Sequence, residues 1–535
     1  LDNGKITAMT TDRVYSGSPA WSPDGKWIYF LSDRHFRSLV RSPWGARQPE
    51  PFFDKTTKIY MTALQPEERS PFLPDDEVYL AGKNGKKDGD KKEDKKDKKK
   101  DDGGKNEDGG VKVEIELEGL VERTMEVPVP PGAYSFLKVN DKAIFFVDRE
   151  ITYQGKRNLK AVGITNSDIE TKTLLDGISG YELSGNGKKL LVRKKSSIYV
   201  IDASTSPPSK LGKKKVDLSA WNFSVIPREE WRQMFVEAWR LERDFFYDPD
   251  MHGVDYDGLL KRHLPVVDRI TDRNELNDLI AHLVGELSAL HTFVFGGDRR
   301  RGEDRVSPAS LGARLVRDEK AGGYRIEHIY ITEPDYPEFL SPLARPEVKA
   351  GEGDIITKIN GVSVLSVEDP AVLLKNQADR QVLLTVMPKG EKETVETIVK
   401  PITPRQESNL RYNEWEYSRR MIVEKEGGGE IGYVHLRAMG GDNYSEWVRN
   451  FYPVFDRKGL IIDVRHNRGG NIDSWILEKL IRQAWFYWQP RRGKPTWNMQ
   501  YAFRGHIVVL CNERTASDGE AFTEGFRRLG LGKVI

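Results

Sequence analysis

Three short apolar runs near the end of the chain constrain its fold more than any other feature. They occupy residues 431–436, 460–465 and 506–511. Stretches in which apolar residues recur at helical spacing follow the second and third runs, at residues 471–486 and from residue 521 onward. Buried strands that alternate with helices form a sheet with helices packed on it. We therefore predict an α/β core at the end of the chain.

The turn after the third apolar run carries a serine with the surroundings of a nucleophile. Ser517 lies between the predicted strand and the predicted helix, where a tight turn presents its hydroxyl outward near the positive end of that helix. Its own backbone amide, or the next one, can point at the same reacting atom. The alternative is a plain helix N-cap, with Glu520 completing a capping box. This segment alone leaves both interpretations open.

A pair of glycines follows the second apolar run. Gly469 and Gly470 open the predicted helix, and glycines there let backbone amides approach a ligand closely. A phosphate cradle is the rival interpretation, but the spacing is not that of a P-loop and no Gly-Lys-Ser/Thr follows. Donors to an oxyanion fit better, because a candidate nucleophile lies downstream on a neighbouring strand end.

The beginning of the chain is predicted to form short antiparallel strands. Residues 18–30 contain a Pro-Asp-Gly turn followed by an alternating strand, and residues 183–192 repeat the pattern more weakly. The first motif resembles blades of TolB-type propellers, so we predict a partial β-propeller over residues 1–215. Within it, residues 84–110 contain no apolar side chain and are predicted to be a disordered charged insertion.

A helical part is predicted over residues 216–305. One helix covers residues 227–247, and a second begins near residue 271 and ends just before His291. One face of the first helix is apolar and is predicted to be core: Trp231, Met234, Phe235, Ala238, Leu241 and Phe245.

Short strands return over residues 306–404. Residues 353–361 read Gly-Asp-Ile-Ile, then Ile-Asn-Gly after two further residues, and this signature resembles that of PDZ domains. PDZ domains add a peptide strand to a sheet edge and hold the chain end in backbone amides. The resemblance therefore implies a peptide-binding loop at Leu311 and Gly312, although the groove could also serve internal packing.

Composition excludes several classes of function. The chain of 535 residues has a formal net charge of only +2, so no global field favours nucleic acid or an anionic membrane. The single cysteine, Cys511, excludes an internal disulfide framework and a cysteine zinc site. We expect a cytoplasmic protein without membrane insertion, with the periplasm as the alternative. The first residue is Leu1, and we expect sequence to be missing at both ends.

The order of these parts resembles that of tricorn-type serine peptidases in the C-terminal-processing peptidase superfamily. The motifs that carry this resemblance most specifically are the Asp-Val-Arg-x-Asn-x-Gly-Gly segment at 463–470, Ser-Asp-Gly-Glu at 517–520, Pro-Arg-Arg-Gly at 490–493 and Leu-Gly-Leu-Gly-Lys at 529–533. The resemblance implies a multidomain fold: a propeller over 1–215, a helical part over 216–305, a PDZ-like domain over 306–404 and a ClpP/crotonase-like α/β catalytic core over 405–535.

The resemblance also implies roles for individual residues. Ser517 would be the nucleophile and His291 its general base, while the amides of Gly470 and Asp518 would form the oxyanion hole. No metal or organic cofactor is implied. The predicted contacts to substrate are at Gly469, Trp488, Leu311 and Gly312, and Trp488 suggests an apolar side chain before the cut.

Two departures from the family pattern give a second hypothesis. Leu290 stands where the family often has a serine, and the family's downstream acid would fall beyond Ile535. The main hypothesis is a serine endopeptidase that acts on oligopeptides or unfolded chains and forms a homo-oligomer in the complete protein. The alternative is a catalytically dead scaffold that binds peptides through its propeller and PDZ-like domain. Rival bases for the enzyme are His282, His466 and His506.

Overall fold

A computed structural model describes residues 6–40, 50–81, 111, 113–297, 302, 304 and 306–535. The chain divides into two compact units, Leu1–Phe223 and Ser224–Ile535. The charged insertion predicted at residues 84–110 lies outside the described residues.

The described residues of the first unit form three antiparallel sheets, which consist in chain order of β1 to β4, β5 to β8 and β9 to β11. This arrangement agrees with a propeller-like domain in which each sheet is one blade. The strands are β1 (Ser16–Trp21), β2 (Trp27–Asp33), β3 (Thr57–Ala63), β4 (Thr124–Glu126), β5 (Tyr134–Val139), β6 (Ala143–Arg149), β7 (Arg157–Gly163), β8 (Thr171–Leu175), β9 (Gly180–Leu183), β10 (Lys189–Lys194) and β11 (Ser197–Asp202).

The two sequence repeats fold into the same turn. In the first, the Ser22 hydroxyl accepts from the amide of Trp27 at 2.9 Å. In the second, the Ser184 hydroxyl accepts from the amide of Lys189 at 3.0 Å. Gly25 and Gly187 occupy equivalent positions with φ of 71° and 68°. The weak repeat in the sequence therefore reflects the same hydrogen-bonded turn, which joins β1 to β2 in one sheet and β9 to β10 in another.

The second unit begins with three helices, α1 (Pro227–Phe245), α2 (Tyr256–Val267) and α3 (Arg273–Gly285). The predicted core face of α1 is wrong in part, since Leu241 is 58% and Phe245 80% exposed, whereas Trp239 is 8% exposed. Leu241 lies about 200° around the helix from Trp239, so the two cannot face the same core. Helix α2 was not predicted from the sequence, because it contains Gly258 and Pro265, two residue types that disfavour helices.

A six-stranded antiparallel sheet follows, in the order β12-β13-β14-β16-β17, with β15 paired to β14. Its strands are β12 (Ala313–Asp318), β13 (Gly323–Ile329), β14 (Ile355–Ile359), β15 (Val362–Ser363), β16 (Val382–Met387) and β17 (Val395–Val399). The predicted Asn-Gly turn joins β14 to β15, with φ of 48° at Asn360 and 79° at Gly361. Positive φ at both positions is what a two-residue hairpin turn requires.

The last part is a parallel sheet in the order β18-β19-β22-β23 with helices around it. Its elements are α4 (Pro404–Glu426), β18 (Ile431–His435), α5 (Gly441–Phe451), β19 (Gly459–Asp463), α6 (Asp473–Leu480), β20 (Tyr487–Trp488), β21 (Thr496–Trp497), β22 (His506–Leu510), α7 (Asp518–Arg528) and β23 (Lys533–Val534). The three apolar runs are confirmed as β18, β19 and β22, and their carboxyl ends meet at one edge of the sheet.

The helix predicted over residues 471–486 is wrong in its length, because α6 ends at Leu480. Beyond it, β20 and β21 pair as a short antiparallel hairpin. Aromatic residues such as Tyr487 and Trp488 favour strands, and here they form cross-strand pairs with Trp497 and Thr496.

Candidate active site

Ser517 has a backbone conformation that a plain helix cap does not need. It lies between the end of β22 and the start of α7, with φ 56° and ψ −121°. Residues other than glycine occupy such regions at a cost of about 1–3 kcal/mol, and they cluster at functional sites. A strained turn between a strand and a helix is also the arrangement that exposes a nucleophilic serine.

The hydroxyl of Ser517 is paired with an imidazole. His291 Nε2 lies 2.7 Å from Ser517 Oγ, although the two residues are 226 positions apart in the chain. The capping interpretation holds only for the backbone of the serine. The Glu520 carboxylate accepts from the Ser517 amide at 2.6 Å, and the Glu520 amide donates to the Ser517 carbonyl at 2.9 Å. The side chain itself is therefore available for chemistry with His291.

His291 is carried by the segment that follows α3. It is exposed and has a positive φ of 71°. The preceding Leu290 is 68% exposed, and the ring of Phe293 lies edge-on to the imidazole at 6.2 Å. The position at which the resemblance often implies a serine thus has an apolar side chain here, which offers no hydrogen bond to the imidazole.

The two glycines of the turn after β19 permit a close approach that no side chain would allow. Gly469 has φ 79°, and a Cβ there would lie 2.5 Å from Cβ of Ser517. A Cβ on Gly470 would lie 1.9 Å from the carbonyl oxygen of Met439. The amides of Gly470 and Asp518 thus have no recorded hydrogen-bond partner within the described residues.

The side chain of Asp518 lies at the start of α6. Its Oδ2 accepts from the amides of Ile472 at 2.8 Å and Asp473 at 3.1 Å. Burial raises the pKa of this carboxyl and the charge of Asp473 adds to the rise, although hydrogen bonds from those two amides oppose it. Asp518 thus joins the nucleophile turn to the turn that contains Gly470.

A buried charged group next to the site was not predicted from the sequence. Asp463, at the end of β19, is fully buried and accepts from the Tyr433 hydroxyl at 2.8 Å and from Arg465 Nε at 2.9 Å. Burial alone would raise the pKa of Asp463, but the hydrogen bonds from Arg465 and Tyr433 outweigh it and lower that pKa. Asp463 and Arg465 belong to the Asp-Val-Arg-x-Asn-x-Gly-Gly motif, but the motif did not indicate that the carboxylate would be buried and paired.

Some predicted residues are not brought to Ser517. Trp488 lies on the β20–β21 hairpin, is 54% exposed and stacks edge-on against Phe486 at 5.0 Å. No hydrogen bond or ring contact among the described residues joins it to Ser517 or His291. The same holds for the rival bases: His506 begins β22 at the opposite edge of the sheet, and His466 packs against Trp415 at 5.6 Å. His282 lies on α3.

The predicted peptide-binding loop of the PDZ-like domain is closely packed. Leu311 is 2% exposed, and the amide of Gly312 donates to the Ser310 hydroxyl at 3.0 Å. The Gly312 carbonyl accepts from the Ser341 hydroxyl at 2.7 Å. One backbone donor of this loop is therefore already used within the domain. Among the described residues, no group of three His, Cys, Asp or Glu side chains is placed to hold a metal ion.

A strained serine paired with a histidine at the carboxyl edge of a parallel sheet is typical of serine hydrolases. The model of peptidase family S41 matches residues 430–535, which contain Ser517 and both glycines. Three further models match the rest: the Tricorn protease second beta propeller domain over residues 1–204, the Tricorn protease C1 domain over 227–285 and the Tricorn protease PDZ domain over 309–404. The chain therefore belongs to the tricorn-type proteases.

Individual relatives agree with this assignment. The chain is 31% identical to Tricorn protease homolog 1 of Streptomyces coelicolor, over 99% of this chain and 49% of that protein. It is 28% identical to a Tricorn protease homolog of Saccharolobus solfataricus, over 100% of this chain and 47% of that protein. The crystal structure of the tricorn protease shares the fold, with a TM-score of 0.80 at 23% identity over 100% of this chain and 49% of that one.

The chain spans about half the length of the curated relatives it matches, 49% of one and 47% of another. Among the helices of the described residues, none combines the length and apolarity that crossing a membrane would require.

Proposed function

We propose that this chain carries the catalytic centre of a serine peptidase, with Ser517 as nucleophile and His291 as general base. The observation that supports this most is the 2.7 Å contact between Ser517 Oγ and His291 Nε2 on a strained turn. Ser517 Oγ attacks the carbonyl carbon of a peptide bond while His291 Nε2 takes its proton. The oxygen that becomes negative accepts from the amides of Gly470 and Asp518.

The tetrahedral intermediate formed by this attack then collapses, and the peptide C–N bond breaks. His291 gives its proton to the leaving amine, and the acyl group remains as an ester on Ser517. Water attacks the ester, again with His291 as the base, and the serine hydroxyl is regenerated. Each oxyanion donor in such sites contributes about 10²- to 10³-fold to kcat.

The substrate class follows from the family and stays a proposal. We propose oligopeptides or unfolded polypeptides as substrates and internal cleavage as the reaction. It remains a prediction that the enzyme prefers an apolar side chain before the cut, with Trp488 as the contact. Peptide capture at Leu311 and Gly312 also remains a prediction. So does homo-oligomer formation by the complete protein.

Replacing the nucleophile tests the proposal. Ser517→Ala should abolish both hydrolysis of a fluorogenic peptide and covalent labelling by a fluorophosphonate. The matched control is Ser474→Ala on α6, because among the described residues the recorded hydrogen bond of the Ser474 hydroxyl goes to neighbouring Asp473, at 3.1 Å. It should keep both activities. Undiminished hydrolysis by Ser517→Ala would rule out this nucleophile.

Replacing the base gives a second, independent test. His291→Ala should fold normally by circular dichroism but lose labelling at Ser517, since the hydroxyl then has no proton acceptor. His506→Ala, on the opposite edge of the sheet, is the control and should be labelled at the normal rate. If the unaltered protein bound peptides but was never labelled, the non-catalytic scaffold would be the better description.

A further inference from the structure

Asn467 lies where the segments around the candidate oxyanion site meet. It is fully buried, and its Oδ1 accepts from the amide of Gly469 at 2.8 Å. Its Nδ2 donates to the carbonyl of Leu436 at the end of β18, at 2.7 Å. Its own carbonyl accepts from the amide of Ala516, the residue before the nucleophile, at 3.0 Å. One side chain and its backbone thus join the sheet, the glycine turn and the nucleophile turn.

The carboxamide of Asn467 can adopt only one orientation here. Its oxygen faces the Gly469 N–H and its nitrogen faces the Leu436 carbonyl. Turning the group over would place its N–H donors against the Gly469 donor and its oxygen against the Leu436 oxygen. Because the group is buried, each lost hydrogen bond would leave an unsatisfied partner. The position of the Gly469 amide is therefore determined by where the carboxamide lies.

The same side chain packs against the helix that carries the nucleophile. A Cβ on Gly519, in the first turn of α7, would lie only 2.9 Å from Oδ1 of Asn467. On the other side of the glycine turn, Asp518 Oδ2 holds the amide of Ile472 at 2.8 Å. The amide of Met439 donates to the Gly469 carbonyl at 2.8 Å and so orients the peptide plane that carries the Gly470 amide. Asn467 supports this turn from the Gly469 amide, and Asp518 supports the segment that follows.

We infer that Asn467 is a positioning residue that supports the turn of Gly469 and Gly470 and so keeps the Gly470 amide in place relative to Ser517 Oγ. The inference rests on the proposed serine peptidase function. Asn467 contacts no substrate in this arrangement, since it is buried beneath the turn. Its effect should therefore fall on the transition state, where the oxyanion forms, and not on binding of the substrate.

Asn467→Ala is the first test. We expect kcat to fall about 10²-fold, because a displaced oxyanion donor costs that much, while KM stays within about threefold. The rate of fluorophosphonate labelling should fall by a similar factor. The matched control is Asn140→Ala in the first unit. Asn140 is 3% exposed, and its Nδ2 donates to the carbonyls of Gly187 at 2.8 Å and Ala203 at 3.0 Å.

The control separates positioning from plain destabilisation. Asn140→Ala should lower thermal stability as Asn467→Ala does, yet leave kcat unchanged. The inference is overturned if Asn467→Ala keeps kcat within about threefold of the control, or if its whole loss appears in KM. If Ser517→Ala also remained active, the proposed function would fail with it. An inactive Ser517→Ala beside an active Asn467→Ala would overturn this inference alone.

Asn467→Asp keeps the test informative if the alanine variant does not fold. The new carboxylate can still accept from Gly469 but places a negative oxygen against the Leu436 carbonyl. Protonation restores the donor, so the ratio of the variant's kcat to that of the unaltered protein should rise as pH falls. A ratio that stays constant with pH would contradict the role assigned to the Nδ2 donor.

Discussion

At the scale of single residues, His435 has a pKa that burial displaces strongly. It ends β18, is 1% exposed, and its Nε2 lies 2.7 Å from the Tyr412 hydroxyl. The ring of Trp415 covers it edge-on at 5.1 Å. Burial lowers the pKa of His435 from 6.5 to about 4, although the charge of Asp463 partly opposes the shift. The folded protein therefore keeps this imidazole neutral.

This displaced pKa predicts a loss of stability in mild acid. The unfolded chain takes up a proton near pH 6.5, whereas the folded chain does so only near pH 4, so the unfolded state binds more protons between these values. The free energy of unfolding should fall by about 2–3 kcal/mol from this residue between about pH 7 and about pH 4.5. Urea unfolding at both pH values should show a smaller fall for His435→Gln. Equal falls in both proteins would contradict the assignment.

At the scale of elements, the segment that carries His291 is held at both ends. Before His291, the carbonyl of Leu287 is bonded to His252 Nδ1 at 2.7 Å. After it, the carbonyl of Gly296 accepts from Asn277 Nδ2 at 3.0 Å. Because Leu290 cannot orient the imidazole by a hydrogen bond, we expect these two anchors, together with the burial of Leu287, to help position His291.

Removing one anchor should slow catalysis without unfolding the helices. His252→Ala frees the start of the segment, so we expect about a tenfold lower labelling rate at Ser517, since small displacements of a base are costly. His263→Ala is the matched control. His263 Nδ1 bonds to the Leu259 carbonyl within its own helix at 2.9 Å and does not reach the segment. A normal labelling rate in His252→Ala, with an unchanged circular dichroism spectrum, would show that the anchor is dispensable.

The elements also show which structural features a sequence can predict. The strands β18, β19 and β22 were predictable because each lies in a short run dominated by apolar residues. Ser517 and the glycine turn stood out because turn residues at a strand end are a local signal. Asn467 stood out only as part of the Asp-Val-Arg-x-Asn-x-Gly-Gly motif. Its contacts could not be predicted, because its partners Leu436 and Ala516 lie 31 and 49 positions away. The exposed end of α1 and the aromatic hairpin after α6 were likewise decided by packing with distant segments.

At the scale of the whole molecule, the candidate catalytic groups all lie in one of the two compact units. Ser517, His291 and the amides of Gly470 and Asp518 lie in Ser224–Ile535. Among the described residues, the hydrophobic cores of this unit are built from the helices, the PDZ-like sheet and the parallel sheet. The described cores of the first unit are built from residues before Phe223. Units with separate cores can fold alone.

We therefore expect residues 224–535 to fold and to be labelled at Ser517 when produced without the first unit. The rate of labelling by a small fluorophosphonate should stay within about threefold of the rate for the full chain, because no group that acts on the probe is removed. The full chain should unfold in two thermal transitions, of which the separate piece retains one. Ser517→Ala in the same piece is the control for specific labelling. A piece that folds by circular dichroism but is not labelled, beside a labelled full chain, would mean that the first unit helps to shape the catalytic centre.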